Sequence, residues 1–204
     1  NEGCERNAMA ASAGTDAGKK LQQYWQSIRE NNEQLPLRSA FKITSAIAPI
    51  LPFMVILEAK EKDIVFRLVG TGIVTHQGVD VTGKHYSDFT TSERALRAVA
   101  RIRACHENLC GFVSVHAEEY GRGLASEVEV TGLPLQSGGG DGQTMILAVI
   151  PTNRTLAKRR NEPLFLRPAT YFEFIDLGAG VPDDATYIIK RIEQDDTRDT
   201  KGTS

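Results

Sequence analysis

Cysteine and long hydrophobic runs are scarce in this sequence of 204 residues, and each shortage excludes a class of protein. The cysteines, Cys4, Cys105 and Cys110, are an odd and sparse set that suits a reducing compartment better than a disulfide framework. No apolar stretch approaches the roughly 18–20 residues that a membrane-spanning helix needs. The N-terminal residues also lack the apolar centre of a secretory signal. We therefore expect a cytoplasmic protein that is not associated with a membrane.

An excess of charge of one sign is also missing, because 24 lysines and arginines are balanced by 26 aspartates and glutamates. The formal net charge of −2 provides no general attraction to nucleic acids, so we expect no nucleic-acid partner. Composition divides the chain into three parts. Residues 1–17, rich in Ala, Gly and Ser, are expected to be disordered or foreign to the native protein, residues 18–155 to form one domain, and residues 156–204 to form a C-terminal extension.

The domain is expected to begin with an amphipathic helix. Leu21, Tyr24, Trp25 and Ile28 occur at i, i+3, i+4 and i+7, which is the spacing of one helical face. This face has two interpretations: it packs on its own domain, or it also pairs with a second subunit. The second interpretation makes these four residues the interface of a homodimer.

Five later segments have the pattern of β-strands, and one has the pattern of a long helix. The helix is expected over 92–109, where Thr90 and Glu93 have the spacing of a capping box before an apolar stripe. The strand segments are 53–59, 63–69, 112–119, 124–135 and 144–150.

The apolar pattern also predicts the order of the strands. Segments 53–57 and 144–150 are apolar on both faces, so both of these strands should be covered on both sides and lie at the centre of a sheet. Strands with one polar face belong nearer the edges. We therefore predict an α+β fold with a five-stranded antiparallel sheet of order 2-1-5-4-3. Helices cover one face, and the N-terminal amphipathic helix covers the other.

Short sequence words within this succession are similar to those of one protein family. They are the Tyr24-Trp25 pair and the segments 66–71 (FRLVGT), 78–84 (GVDVTGK) and 175–182 (IDLGAGVP). Together with the order of the elements, they resemble the PAS-domain family, and within it the short stand-alone bacterial PAS proteins known mainly from alphaproteobacteria. The resemblance covers residues 20–182.

This resemblance implies a non-catalytic sensor or adaptor that regulates a separate signalling protein, such as a histidine kinase or another regulator, by direct contact. Since no kinase, cyclase or DNA-binding region follows in the sequence, we expect the output to pass through that partner, and we expect a homodimer. A small-molecule pocket is expected between the sheet and the 92–109 helix. Its predicted lining residues are Phe66, Tyr86, Phe89, Val99, Ile102, His106 and Val115.

A haem-dependent redox or gas sensor is the first alternative. In haem-binding PAS domains a histidine of this helix holds the iron, and His106 occupies such a position on the apolar stripe. We favour a histidine of the core or of the pocket wall at this position, and we expect no cofactor.

A nucleotide-using enzyme is the second alternative, and its motifs are incomplete. Gly70-Thr71-Gly72 follows a predicted strand, but Thr75 stands where a dinucleotide fingerprint has its third glycine. The segment 78–84 has the spacing of a P-loop, but His85 replaces the Ser or Thr that would coordinate magnesium. We predict a tight strand exit at the first site and no nucleotide at either.

Metal binding and catalysis have no complete residue set in the sequence. Cys105, His106 and Cys110 are close together, but zinc usually takes four ligands and no second ligand pair exists. Paired carboxylates and a Ser-His-Asp pattern are also missing. We therefore expect no metal site, no catalytic residue and no enzymatic activity.

Aromatic residues are concentrated in the C-terminal extension. Phe165, Tyr171, Phe172 and Phe174 lie within ten positions, and exposing their rings would cost about 25 cal/mol per Å² of apolar area. This segment should therefore dock on the domain, on a second copy or on a partner. The sequence leaves these three arrangements open.

Overall fold

An antiparallel β-sheet is the central feature of the computed structural model, which describes residues 14–30, 34–120, 124–138, 142–152 and 164–182. The described strands are β1 Met54–Ala59, β2 Ile64–Val69, β3 Gly111–Tyr120, β4 Leu124–Leu135, β5 Gln143–Pro151 and β6 Ala169–Ile175. They form one sheet of order β2-β1-β5-β4-β3-β6. The described α-helices are α1 Asp16–Ser27, α2 Thr71–Gln77 and α3 Ser92–Glu107, and short 3-10 helices cover Arg38–Ala40, Ala48–Phe53 and Tyr86–Phe89.

The two strands predicted to be central are adjacent in the sheet. β1 pairs with β5 from Met54 opposite Ala148 to Ala59 opposite Gln143. Each of the two has a further strand on its other side. Because both faces of these strands are covered, apolar side chains are favourable at successive positions. The predicted order 2-1-5-4-3 is confirmed.

The sheet has one strand more than the sequence pattern predicted. β6 pairs antiparallel with β3, from Gly111 opposite Ile175 onwards. The ring of Phe172 stacks on that of Phe112 with 5.5 Å between centroids, and Phe174 meets Phe172 edge-on at 5.0 Å. The aromatic segment therefore docks on its own domain, where it buries the ring of Phe174 and satisfies the backbone of the β3 edge.

Helix α1 packs on one face of the sheet. Leu21 and Trp25 are fully buried and Tyr24 is nearly so, among apolar side chains of β4 and β5. The indole N–H of Trp25 donates to the carbonyl of Pro134 at 2.7 Å. Since these side chains are covered by their own chain, they present no surface to a second copy, and Ile28 is half-buried beside them. The homodimer stays a prediction, and its interface would have to lie on a surface other than this buried face of α1.

The domain begins earlier than the composition of the N-terminus indicated. Thr15 is the N-cap of α1, and its hydroxyl accepts from the backbone N–H of Gly18 at 3.2 Å. Such a cap satisfies one of the free N–H groups of the first turn. Residues 14–17 therefore belong to the folded domain, whereas residues 1–13 of the expected disordered segment lie outside the described residues.

Helix α3 packs on the opposite face of the sheet, against β2, β4 and β5. Its N-cap is Thr91, which accepts from the Arg94 N–H at 3.4 Å, one residue later than the predicted cap Thr90. The helix ends at Glu107, before the predicted 109, because Leu109 has a left-handed backbone with φ of 50°. Within the described segments, no helix has the length and apolar character needed to cross a bilayer.

Candidate ligand cavity

A cavity of about 600 Å³ lies between α3 and the sheet. Small-molecule sites in proteins commonly occupy roughly 300–1,000 Å³. Of the predicted lining residues, Phe66, Tyr86 and Ile102 line this cavity. Phe89, Val99, His106 and Val115 are not among its lining residues.

Local geometry explains why three of those four residues lie elsewhere. Val99 is buried in the core that α3 forms with the sheet. Phe89 packs edge-to-face on Phe66, with 6.2 Å between ring centroids, and is partly buried against the same core. Val115 alternates with Ser114 and His116 along β3, and the latter two line the cavity. Successive residues of a strand point to opposite faces, so Val115 belongs to the other side of the sheet.

His106, the fourth, makes a contact within the domain. Its Nε2 lies 3.0 Å from the carbonyl oxygen of Thr144 on β5. Burial lowers the pKa of the imidazole, partly offset by this hydrogen bond. The ring therefore connects the end of α3 to the sheet and is not among the residues that line the cavity. The expectation that no haem binds stays a prediction.

The floor of the cavity is the α3-facing side of the sheet. Alternate residues of three strands supply its apolar side chains, as the two-residue period of a strand requires. They are Val55 and Leu57 of β1, Val128 and Val130 of β4, and Leu147 and Val149 of β5. This floor favours an apolar body in the ligand.

Arginines on α3 form one charged wall that the sequence reasoning missed. Arg94, Arg97 and Arg101 all line the cavity, and their i, i+3, i+7 spacing places them on one helical face. Burial raises the pKa of the Tyr86 hydroxyl, and the charges of Arg94 and Arg101 partly oppose that rise. Both guanidinium groups are therefore electrostatically coupled to the Tyr86 side of the cavity.

The C-terminal segment 164–168 forms the roof of the cavity. The backbone N–H of Leu166 donates to the Phe89 carbonyl at 2.8 Å, and the Thr90 hydroxyl donates to the Leu166 carbonyl at 3.3 Å. On the other side, Nδ1 of His116 lies 3.1 Å from the Arg167 carbonyl oxygen. The roof continues directly into β6, so one piece of chain both closes the cavity and forms the sheet edge.

Two arginines of α3 contact aromatic rings, one in the roof and one in β6. The guanidinium carbon of Arg94 lies 5.6 Å from the ring centre of Phe165. That of Arg101 lies 3.7 Å from the ring centre of Phe172. Cation–π contacts at such distances are attractive. Arg94 therefore connects the cavity wall to the roof, and Arg101 connects it to β6. In the sequence, the i, i+3, i+7 spacing of the α3 arginines was the one signal that could have indicated a charged helical face.

The glycine motifs support backbone packing. A side chain on Gly70 would place its Cβ 2.4 Å from the Pro52 carbonyl oxygen, so the glycine allows a close approach at the exit from β2. Gly83 has a left-handed φ of 80°, and its N–H donates to the Phe66 carbonyl at 2.7 Å. The exposed Lys84 accepts at its own carbonyl from the Phe66 N–H at 3.1 Å. These backbone groups pair with β2 and are not arranged around a phosphate.

Cys105 and Cys110 are buried free thiols at the end of α3. The Cys110 N–H donates to the Cys105 carbonyl at 3.0 Å. Burial, together with the contact with Cys110, raises the pKa of the Cys105 thiol well above its usual range, so the reactive thiolate is disfavoured. Among the residues that the structure describes, no group of three or more His, Cys, Asp or Glu side chains is arranged to hold a metal ion.

Comparison with known proteins identifies a family for this arrangement. A family model described as a PAS domain matches residues 14–150. The match begins just before α1 and ends near the end of β5, so the cavity floor and α3 lie inside it and the roof and β6 lie beyond it. No curated protein matches the chain.

Proposed function

Because the chain belongs to the PAS domain family, we propose that it is a non-catalytic sensor and adaptor that regulates a separate signalling protein by direct contact, and that a small molecule in the cavity controls this contact. Family membership supports the coarser role, a sensory or signalling domain. The specific partner class that we propose is a histidine kinase or another regulator. The cavity and its C-terminal roof support the control by a ligand.

The observation that carries the proposal is the continuity of the roof with an edge strand. A ligand that fills the cavity contacts residues 164–168, and these lead without interruption into β6. β6 lies at the end of the sheet order, and Tyr171 on it is about half exposed (48%). Edge strands and exposed aromatic side chains are common contact elements for other proteins. Ligand occupancy can thus alter the surface that a partner reads.

One pair in the cavity has the composition of a nucleophile and a base. The Ser114 hydroxyl lies 3.0 Å from Nε2 of His116, and Nδ1 of His116 faces the Arg167 carbonyl. Residues two positions apart on a strand lie side by side on one face, so this contact also arises from strand geometry alone. We infer that the pair is a polar part of the wall.

Ester hydrolysis tests that inference directly. We expect p-nitrophenyl acetate to be hydrolysed at the same low rate by the unmodified protein and by Ser114→Ala. A rate that drops to background in the Ser114→Ala variant would establish a nucleophile and contradict the non-catalytic assignment.

Ligand binding is tested with a variant that fills the cavity. Ala98 lines the cavity from α3, whereas Ala179 is exposed far along the C-terminal segment and does not line it. We expect native mass spectrometry or a thermal-shift screen of metabolites to identify a compound that binds the unmodified protein and Ala179→Phe, but not Ala98→Phe. Equal binding by both variants would place the ligand outside the cavity.

The adaptor role is tested by affinity capture from native cells with the same three proteins. We expect a protein with kinase or other regulatory domains to be recovered, and its amount to differ between Ala98→Phe and the other two. Recovery of no signalling protein contradicts the adaptor role. Recovery of one in equal amounts by all three proteins contradicts the control by a ligand.

Assembly and location complete the proposal. We propose a cytoplasmic homodimer, formed through a surface other than the buried face of α1. Light scattering of the full chain should give twice the mass of one chain, and a mass equal to one chain contradicts the dimer. Substitution of exposed Tyr171 by Ser tests whether the β6 edge takes part.

A further inference from the structure

Arg94, which lines the cavity, has a buried nitrogen without a hydrogen-bond partner in the described part of the chain. Nη1 of Arg94 is inaccessible to solvent and has no hydrogen-bond partner among the described residues. A guanidinium group stays protonated in proteins, so it cannot become neutral when it is buried. Buried polar groups in native proteins are almost always hydrogen-bonded, and an exception calls for a missing partner.

The residues around Arg94 do not supply that partner. Among the described lining residues the only carboxylate is Glu93, and its Oε1 already accepts from Nη2 of Arg97 at 2.8 Å. Phe165 offers Arg94 the face of a ring, which attracts a cation but accepts no ordinary hydrogen bond. Arginine is thus the dominant charge of this wall, since Arg94, Arg97, Arg101 and Arg167 all line the cavity.

We propose that the cavity binds a small organic anion with an apolar body, and that Arg94 is the principal residue for its charged head. This inference rests on the proposed function, because it names the chemical class of the ligand for the same cavity. The planar fork of a guanidinium matches a carboxylate or a phosphate, and charge-assisted bonds to either are stronger than neutral ones. The apolar body lies against the strand floor, on side chains such as Leu57, Leu147 and Val149.

The same anion connects the ligand to the proposed output. Arg94 contacts Phe165 in the roof, so a ligand that reorients the guanidinium acts directly on the C-terminal segment. A neutral ligand of the same shape would fill the cavity without this effect.

Binding of four probes with one apolar chain and different heads tests the class. We would measure dissociation constants for octanoate, octyl phosphate, 1-octanol and octylamine by calorimetry on the full chain. Octanoate or octyl phosphate should bind at least tenfold more tightly than 1-octanol and octylamine, and the two anions together decide between a carboxylate and a phosphate head. Binding of 1-octanol or octylamine as tight as that of both anions overturns the inference, and so does failure of both anions to bind.

Substitution of Arg94 tests the assigned residue. Arg94→Gln keeps hydrogen-bonding groups and removes the charge, and Arg38→Gln is the matched control because Arg38 is exposed and does not line the cavity. Arg94→Gln should weaken the better anion at least tenfold, leave 1-octanol nearly unchanged and be partly rescued in Arg94→Lys. Equal affinity of Arg94→Gln and Arg38→Gln for the anion overturns the role of Arg94.

Thermal unfolding without ligand separates a binding role from a structural one. Because a buried Nη1 without a hydrogen-bond partner is unfavourable and glutamine carries no charge, Arg94→Gln should have the same or a higher melting temperature than the parent. A lower melting temperature would show that Arg94 supports the fold, which overturns the inference. The proposed function fails separately, when capture of the signalling protein does not respond to Ala98→Phe, whatever the head-group preference of the probes.

Discussion

Thr15 donates both its backbone N–H and its hydroxyl to the same carboxylate oxygen of Glu129, at 2.8 and 2.7 Å. The two residues are 114 positions apart, and their contact joins the start of α1 to the middle of β4. The carboxylic side chain of Glu129 is buried (8% exposed). A buried carboxylate is costly without hydrogen-bond partners. Glu129 therefore needs the two donors of Thr15 on the face of the sheet that α1 covers.

Removal of the Glu129 carboxylate should therefore destabilise the domain. We expect Glu129→Ala to lower the free energy of unfolding by about 1–3 kcal/mol, because two donors of Thr15 lose their acceptor. Glu129→Gln keeps one carbonyl oxygen and should lose less. Urea unfolding of Thr15→Ala, Glu129→Ala and the double variant measures the coupling, and strictly additive effects would show that the pair does not interact in solution.

The sixth strand should contribute a large part of the stability through one ring. Phe174 is buried in the core (6% exposed), whereas Phe165 in the roof is 47% exposed. We expect Phe174→Ala to lower the free energy of unfolding by about 3–5 kcal/mol, as for other buried rings, and Phe165→Ala to have a much smaller effect. Circular dichroism during urea unfolding measures both, and similar losses for the two variants would contradict the position of β6.

The glycine at the exit from β2 should tolerate no side chain. In Gly70→Ala the new Cβ would lie 2.4 Å from the Pro52 carbonyl oxygen and 2.7 Å from that of Leu51. Backbone atoms must move to relieve such contacts, so we expect a strong decrease in melting temperature. Gly138→Ala is the matched control, because no atom of the described residues lies within 4 Å of a Cβ added there. A Gly70→Ala protein as stable as Gly138→Ala would contradict this packing.

Acidification should destabilise the domain partly through His106. Burial lowers the pKa of this imidazole in the folded state, so the unfolded state, with a pKa of about 6.5, binds the proton more tightly. The contribution of His106 to the free energy of unfolding is constant above the unfolded-state pKa. As the pH falls below that value toward the folded-state pKa, this contribution becomes unfavourable to folding.

His106→Gln should remove this part of the pH dependence. We expect the stability difference between parent and variant to shrink between pH 7.5 and pH 5, as measured by urea unfolding at each pH. The other histidines are present in both proteins and cancel in the comparison. Parallel pH profiles would mean that the His106 ring is not buried against Thr144 in solution.

Much of the sheet could be predicted because its signals are local. The segments that became β1 and β5 are apolar on both faces, and this is required of strands covered on both sides. The stripe of α3 and the face of α1 are likewise periodic in the sequence. The polar partners are different: Thr15 lies in a run of small residues, and nothing near it in sequence indicates a bond to Glu129.

The cavity could be predicted in position but only partly in its lining. Phe66, Tyr86 and Ile102 were identified, yet Val115 was placed on the wrong side of the sheet because alternation shows that two faces exist and not which face α3 covers. The arginines of α3 resemble any solvated helical face in sequence. The arginine face of α3 becomes a wall of the cavity only because segment 164–168 lies over it.

Amino-acid pattern alone determined the strand order and the long helix, since periodicity and burial preferences act over a few neighbouring residues. The family was indicated by short sequence words that resemble those of PAS domains. The sixth strand, the roof at 164–168 and the unpaired Nη1 of Arg94 depend on how distant segments meet in space. Edge pairing uses backbone groups that every residue possesses, and the cost of an unpaired charge depends on what surrounds it. Neither the pairing partner of an edge strand nor the surroundings of a charge can be read from a local stretch of sequence. Both became visible only in the tertiary structure.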